Sequence, residues 1–139
     1  MTEEVQRNYL EINSIEDLNK VNDPPEDYSL NLLVPINFQL NKFFYKNIGK
    51  KHKWIDRLVW TESQWIDYVS NKNVKTYVFK FKDDLAGFFE LMSHGEKKEV
   101  EIAYFGLLEE FQNKKLGSYL LSQAIQISFN GGVDRVWVH

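Results

Sequence analysis

Hydrophobic and polar positions change period about half-way along the chain. From Ile36 the apolar positions Leu40, Phe43, Phe44 and Ile48 recur at three- and four-residue intervals. That spacing predicts an amphipathic helix stopped near Gly49, with a solvated basic turn over Gly49-Lys50-Lys51-His52-Lys53. The next helix start is marked more clearly. Thr61 and Gln64 form a T-x-x-Q capping box, with Trp60 and Trp65 at the staple positions, and Trp65, Ile66 and Val69 are expected to face the core. Upstream, Val5 to Ile12 reads as a first strand, Ser14 and Asp17 as a cap on a short helix, and Asn22-Asp23-Pro24-Pro25 as a break.

The second half alternates. Lys75 to Lys82 sets Tyr77, Phe79 and Phe81 on one face and Val78, Lys80 and Lys82 on the other. A turn at Asp83-Asp84 leads into Leu85 to Met92, and a turn at His94-Gly95-Glu96 into Val100 to Leu107. Three strands with short connections predict an antiparallel meander. Gln112 to Phe129 then returns to helical spacing, with Leu116, Leu120, Ala124 and Ile127 on the inner face and Gly131-Gly132 at the end. Val133 to Val138 is a fifth strand, and the strand–helix–strand crossover before it implies parallel pairing. The pattern is that of an α+β fold with a mixed sheet and flanking helices.

Composition narrows the chemistry. The 139 residues fit one core, and the absence of cysteine excludes disulfides, thiolate metal sites and a cysteine nucleophile. A net charge of −3 argues against nucleic acid or an anionic membrane surface as the main partner. The acidic start Met1-Thr2-Glu3-Glu4 lacks the pattern of a signal peptide, and no apolar run approaches membrane-spanning length, so a cytoplasmic protein is expected. His52 and His94 fall in predicted turns and His139 ends the fifth strand; three dispersed histidines give no metal site.

The most informative segment runs from Val100 to Ser118, where a polar turn at the mouth of a strand opens onto a helix N-terminus. Unpaired backbone N–H groups and the helix dipole make such a junction an anion site, and Lys114 and Lys115 add two positive charges. Gln112-Asn113-Lys114-Lys115-Leu116-Gly117 resembles the Q/R-x-x-G-x-G/A acyl-CoA signature of the GNAT acetyltransferase superfamily, with the second glycine kept and Lys115 in place of the first. The wider resemblance rests on the blocks Pro35 to Tyr45, Trp54 to Trp60, Ala86 to Leu91, Glu101 to Leu108 and Arg135 to His139, in that order. Together they are similar to one bacterial branch of that superfamily over nearly the whole chain.

The resemblance implies an acetyl-CoA-dependent N-acetyltransferase acting on a primary amine. Residues 1–139 would form a single GNAT-like domain, incomplete at its C-terminus because the last helix and strands six and seven are missing. It implies that the strand around Phe105 splays from the following parallel strand at a bulge and that Leu107 makes a main-chain contact with pantetheine. The pyrophosphate would lie on Gln112, Asn113, Lys114, Lys115, Leu116, Gly117 and Ser118, with Lys115 altering the close approach that glycine allows. Glu101 aligns with a strand glutamate that serves as general base in some members, and Glu90 is its competitor. The plainer reading of Glu101 is an edge carboxylate balancing Lys97 and Lys98. An unpaired fifth-strand edge would favour a homodimer covering it. The alternative function is a non-catalytic acyl-CoA-binding or interaction module.

Overall fold

The structure is a computed structural model that describes residues 10–12, 26–112 and 116–138. Its centre is one sheet of six strands: β1 (Leu10–Ile12), β2 (Tyr28–Leu32), β3 (Val74–Phe81), β4 (Asp84–His94), β5 (Glu99–Leu107) and β6 (Arg135–Val138). Their spatial order is β1-β6-β5-β4-β3-β2. Neighbouring strands run antiparallel except β5 and β6, which are parallel across the crossover, as the sequence predicts. Helices α1 (Phe38–His52) and α2 (Glu62–Ser70) pack on one side, and α3 (Leu116–Asn130) on the other.

Both faces of the sheet are buried. Phe79, Phe89, Val100, Ile102 and Val136 pack with Leu116, Leu120, Ala124 and Ile125 of α3. On the opposite face Val78 and Phe88 pack with Phe44 and Ile48 of α1, the Phe44 and Phe88 rings stacked at 4.8 Å. At about 25 cal/mol per Å², each fully buried aliphatic or aromatic side chain contributes roughly 1.5–3 kcal/mol, so the two layers together supply most of the drive for folding.

Several local expectations hold. The box at α2 is complete: Thr61 Oγ1 accepts from Gln64 N–H, and Gln64 Oε1 accepts from Thr61 N–H. The Trp60 and Trp65 rings meet edge-to-face at 5.0 Å, as a hydrophobic staple requires. Trp65 and Val69 are buried, but Ile66 is exposed, one position off the buried stripe.

Other expectations are corrected. α1 does not stop near Gly49 but runs to His52, ending on a left-handed Lys53, so the predicted basic turn is the last helical turn. Gly49 is instead a packing notch, because a Cβ there would lie 2.8 Å from Trp54 Cε3. The turn into β4 falls at Lys82-Asp83, and His94 closes β4 rather than starting a turn. Gln112 follows a 3-10 turn (Glu109–Phe111) in extended conformation, so the helix begins at Leu116. Tyr28–Leu32 adds a strand beyond the five read from the sequence, though Tyr28, Leu30 and Leu32 alternate with Ser29 and Asn31. The β6 edge expected to need a second copy is paired within the chain, Leu10 opposite Val138 and Ile12 opposite Val136. That pairing removes the reason for a homodimer on this edge. The short helix near Ser14 lies outside the described residues.

Candidate active site

The β4–β5 ladder carries one irregularity. Glu90 faces Tyr104, but Leu91 faces Ile102, leaving Ala103 as an extra residue on β5. Such a bulge bends the strand and shifts its side-chain alternation by one. Tyr104, rather than Ala103, therefore shares the face of Glu101. On the other side of β5, the described residues of β6 pair with Glu99 to Ile102, Val138 lying opposite Ile102. Leu108 N–H donates to Ala86 O at 2.8 Å, and strict alternation from that bond turns the main-chain groups of Phe105 and Leu107 away from β4, toward the side of β5 on which β6 lies. There the Leu107 carbonyl accepts from Gln112 Nε2 at 3.1 Å, while Gln112 Oε1 accepts from Lys51 Nζ at 3.0 Å. Gln112 thus ties the end of α1 to the end of β5.

A cleft of about 590 Å³ opens beside β5, between Ile102 to Phe105 and the loop carrying Lys53, Trp54 and Asp56. The Tyr104 ring meets Trp54 edge-to-face at 4.7 Å, and its hydroxyl donates to Asp56 Oδ2 at 3.3 Å. Burial, with a further push from Asp56, outweighs the opposing pull of Arg57 and raises the Tyr104 pKa well above the usual phenol range. Its phenol is therefore a proton donor at neutral pH. A groove of about 630 Å³ along the outer side of α1 is rimmed by Lys42, Lys46 and Lys50 and lined by no carboxylate. It offers no acid–base pair.

Glu90 lies under the loop after α1, fully buried. Arg57 Nη2 approaches its Oε1 at 3.0 Å, Tyr68 OH donates to Oε1 at 2.8 Å, and Asn41 Nδ2 donates to Oε2 at 2.8 Å. The guanidinium is ringed by Tyr68 and Tyr104, 4.1 and 4.3 Å from their ring centres, with Trp60, Trp65 and Tyr45 further out. Burial works against the Arg57 charge, but Glu90 and the surrounding hydroxyls outweigh it and hold its pKa above the usual value. Burial first and then Glu90 push the Tyr68 hydroxyl far above the phenol range. Arg57 N–H donates to Tyr45 OH at 2.8 Å, anchoring the loop from below. Both Glu90 oxygens are thus occupied. Asn41 Oδ1 is the one buried side-chain acceptor without a partner among the described residues.

Glu101 is differently placed. Its Oε1 lies 3.1 Å from His94 Nε2, and neither Lys97 nor Lys98 pairs with it. The side chains are 18% and 39% exposed. The His94 ring lies parallel to Trp137 at 6.2 Å, and Trp137 Nε1 donates to Glu99 Oε1 at 3.3 Å. Arg135 Nη1 donates to Glu99 Oε2 at 2.6 Å, and that bond, with the Arg135 charge, holds the Glu99 carboxyl below the usual range.

At the opposite end of β5, α3 begins with buried Leu116, half-buried Gly117 and exposed Ser118. Asn113, Lys114, Lys115 and His139 lie outside the described residues. A Cβ at Gly117 would meet only Leu107 Cδ1, at an ordinary 3.9 Å. The fold itself does not demand glycine there. No group of three metal-ligating side chains occurs among the described residues, and no helix among them is long and apolar enough to cross a membrane.

A bulged strand beside a cleft, joined to a parallel neighbour through a helical crossover, is the arrangement in which the resemblance to known proteins becomes decisive. The sequence model of the acetyltransferase (GNAT) family matches residues 37–139. The chain belongs to that family. Solved structures agree on the fold of this GNAT chain. An aminoglycoside acetyltransferase from an uncultured soil metagenomic sample superposes with a TM-score of 0.66 at 10% identity, over 81% of this chain and 77% of that one. A Bacillus subtilis acetyltransferase in complex with CoA gives 0.58 at 21% identity, covering 80% and 64%. A GCN5-related N-acetyltransferase from Sphaerobacter thermophilus gives 0.70 at 12% identity, covering 94% of this chain and 40% of that one. No curated protein matches the sequence.

Sequence reading missed Arg57, Tyr68, Asn41, Asp56 and Tyr104, and it set His94 aside as a turn residue. The fold brings Glu90 and Glu101 to one face on neighbouring strands. Gln112, Gly117 and Ser118 gather at the far end of β5.

Proposed function

We propose that this chain carries an acetyl-CoA-dependent N-acetyltransferase site at the β5 bulge, with a primary amine as acceptor. The observation that carries the reading is the β5 bulge beside a cleft: Ala103 is an extra residue between the Glu90–Tyr104 and Leu91–Ile102 pairs, and Ala103, Tyr104 and Phe105 line a cleft of about 590 Å³. The residues fit acetyl-CoA as cosubstrate. Pantetheine amides pair with β5 at Phe105 and Leu107. The pyrophosphate lies at the start of α3, where Gln112, Asn113, Lys114, Lys115, Leu116, Gly117 and Ser118 supply N–H groups, charge and a hydroxyl. A bare Cα at Gly117 that internal packing does not require suits the close approach of a phosphate. A cytoplasmic location goes with such a cosubstrate.

The acceptor arrives as an ammonium and attacks only once neutral. Glu101, mostly buried but with some access to solvent and two residues before the bulge, is the general base of this reading. Glu90 is not, because both of its oxygens are committed to Arg57, Tyr68 and Asn41. Attack forms the C–N bond, the C–S bond breaks, and the amine's second proton leaves with the thiolate as CoA thiol.

Thiol release from acetyl-CoA, followed across a panel of primary amines, tests the function. Release that depends on an amine supports it. Calorimetric binding of acetyl-CoA without release replaces it with the acyl-CoA-binding module. Neither binding nor release removes both.

A further inference from the structure

The contact between His94 and Glu101 joins residues seven apart in sequence across the β4–β5 hairpin. It is a diagonal contact: His94 pairs with Glu99 in the ladder and Glu101 with Met92, so the two side chains reach toward each other along one face. Lys97 and Lys98 lie in the same connection, yet neither pairs with Glu101, and the imidazole takes the place. Its ring is held flat against Trp137, whose Nε1 is fixed by Glu99, itself fixed by Arg135. Three strands thus orient the imidazole. Glu101 is 18% exposed and His94 39%, so the ring is the more open of the two to solvent.

We propose that His94 is the proton relay for Glu101, carrying the acceptor's proton from the carboxylate to water. The inference rests on Glu101 being the general base. The acceptor ammonium gives one proton to the Glu101 carboxylate and becomes a neutral amine. With the ring as the Nδ1–H tautomer, the resulting carboxylic acid donates its O–H to the His94 Nε2 lone pair and passes that proton across, and the imidazolium releases the Nδ1 proton to solvent. This restores the carboxylate and the neutral ring with the tautomer exchanged, and a turn of proton exchange with water resets it. No oxidant or further reactant is needed. The role separates the two histidines of the described chain, because His52 stacks on Trp54 after α1 and touches neither glutamate.

The test compares three variants in the amine-panel thiol-release assay. Glu101→Gln identifies the base. His94→Gln keeps an amide donor near Glu101 but cannot carry a proton. His94→Ala opens space for added imidazoles. The relay predicts that both His94 variants lose about 10- to 100-fold in kcat while the KM for acetyl-CoA stays within about twofold. It also predicts that imidazole restores His94→Ala, with rescue by substituted imidazoles following their basicity rather than their size. A His94→Gln enzyme as active as wild type, beside an inactive Glu101→Gln, overturns the relay and leaves Glu101 as base. Loss in both His94 variants without rescue, or rescue ordered by size, makes His94 a positioning residue only and also overturns the relay. Full activity in Glu101→Gln removes the base assignment, and a wild-type chain without thiol release removes the reaction itself. Circular dichroism melts of each variant separate these outcomes from misfolding.

Discussion

Glu90 and Glu101 lie on neighbouring strands and one face of the sheet, yet their carboxylates live in opposite surroundings. Glu90 has no exposure, three side chains bonded to it, and an arginine ringed by five aromatic side chains as its counter-ion. Glu101 has one histidine and a path to water. The bulge at Ala103 creates the difference, because it turns Tyr104 toward the Arg57 cage and leaves Glu101 beyond the reach of the α1–α2 loop. A buried ion pair fixes geometry, whereas a base must exchange protons. The two carboxylates divide these tasks.

The contrast is broken most severely from the Glu90 side. Arg57→Ala leaves a fully buried carboxylate without its cation, and the expected loss is about 3–5 kcal/mol in urea-induced unfolding. A loss below about 1 kcal/mol would mean that the cage is not what holds the loop to the sheet.

Exchanging the amide for each acid sharpens the comparison. Glu101→Gln is expected to lower kcat by about 10²- to 10⁴-fold while changing stability by no more than about 1 kcal/mol, since its pair is partly exposed. Glu90→Gln should do the reverse: marked destabilisation, with turnover largely kept at temperatures where the variant is folded. Equal turnover losses in both variants, with acetyl-CoA affinity intact, would reverse the assignment of Glu90 as structural.

These differences were unevenly legible in the sequence. The α2 start was readable because its capping box and staple are local, all within Trp60 to Trp65. The meander and crossover followed from hydrophobic period alone. The bulge was not readable, since Ile102-Ala103-Tyr104-Phe105 is an unbroken apolar and aromatic run in which a shift of period leaves no mark. Arg57 sits in a segment of mixed apolar and charged residues, and Glu90, with the Asn41 and Tyr68 side chains that join Arg57 on it, comes together from three other elements. Gly49 shows the same limit in reverse: its local meaning as a helix stop was overruled by Trp54, five residues on. Tyr28–Leu32 did carry a period-two signal, but over five residues it was too short to stand out beside Pro24-Pro25.

A milder break acts through α2, which delivers Tyr68 to Glu90. Thr61→Ala removes one half of the capping box and is expected to cost about 1 kcal/mol in chemical denaturation. Because Glu101 and His94 lie on strands away from α2, amine-dependent thiol release by the folded variant should be unchanged.

The two regions also fail at opposite ends of the pH scale. On the Glu90 side, Tyr68 and Tyr104 have folded pKa values raised above the usual 10.0 by burial. Their contribution is complete below pH 10.0 and is lost as pH rises beyond it, because the unfolded phenols ionise first. Phenolate absorbance followed with tryptophan fluorescence should show these two tyrosines ionising only as the chain unfolds. Phenolates that all form before the fluorescence changes would show the cage open to hydroxide.

On the Glu101 side the smallest effect is expected, from Glu99. Arg135 and Trp137 hydrogen bonds lower its folded pKa below the usual 4.5. The sign is therefore opposite: the stabilisation is present above pH 4.5 and disappears as the pH falls through the lower, folded value. Glu99→Gln should reduce stability slightly at neutral pH and flatten the slope of stability against pH below 4.5, measured by urea unfolding at a series of acidic pH values. It should also loosen Trp137, on which the His94 ring lies. A variant that keeps the wild-type acid slope would show that the Arg135 pair adds nothing beyond its crossing of the β5–β6 ladder. A variant that loses both slope and turnover would show instead that the orientation of His94 depends on Glu99, its partner in the β4–β5 ladder, acting through Trp137.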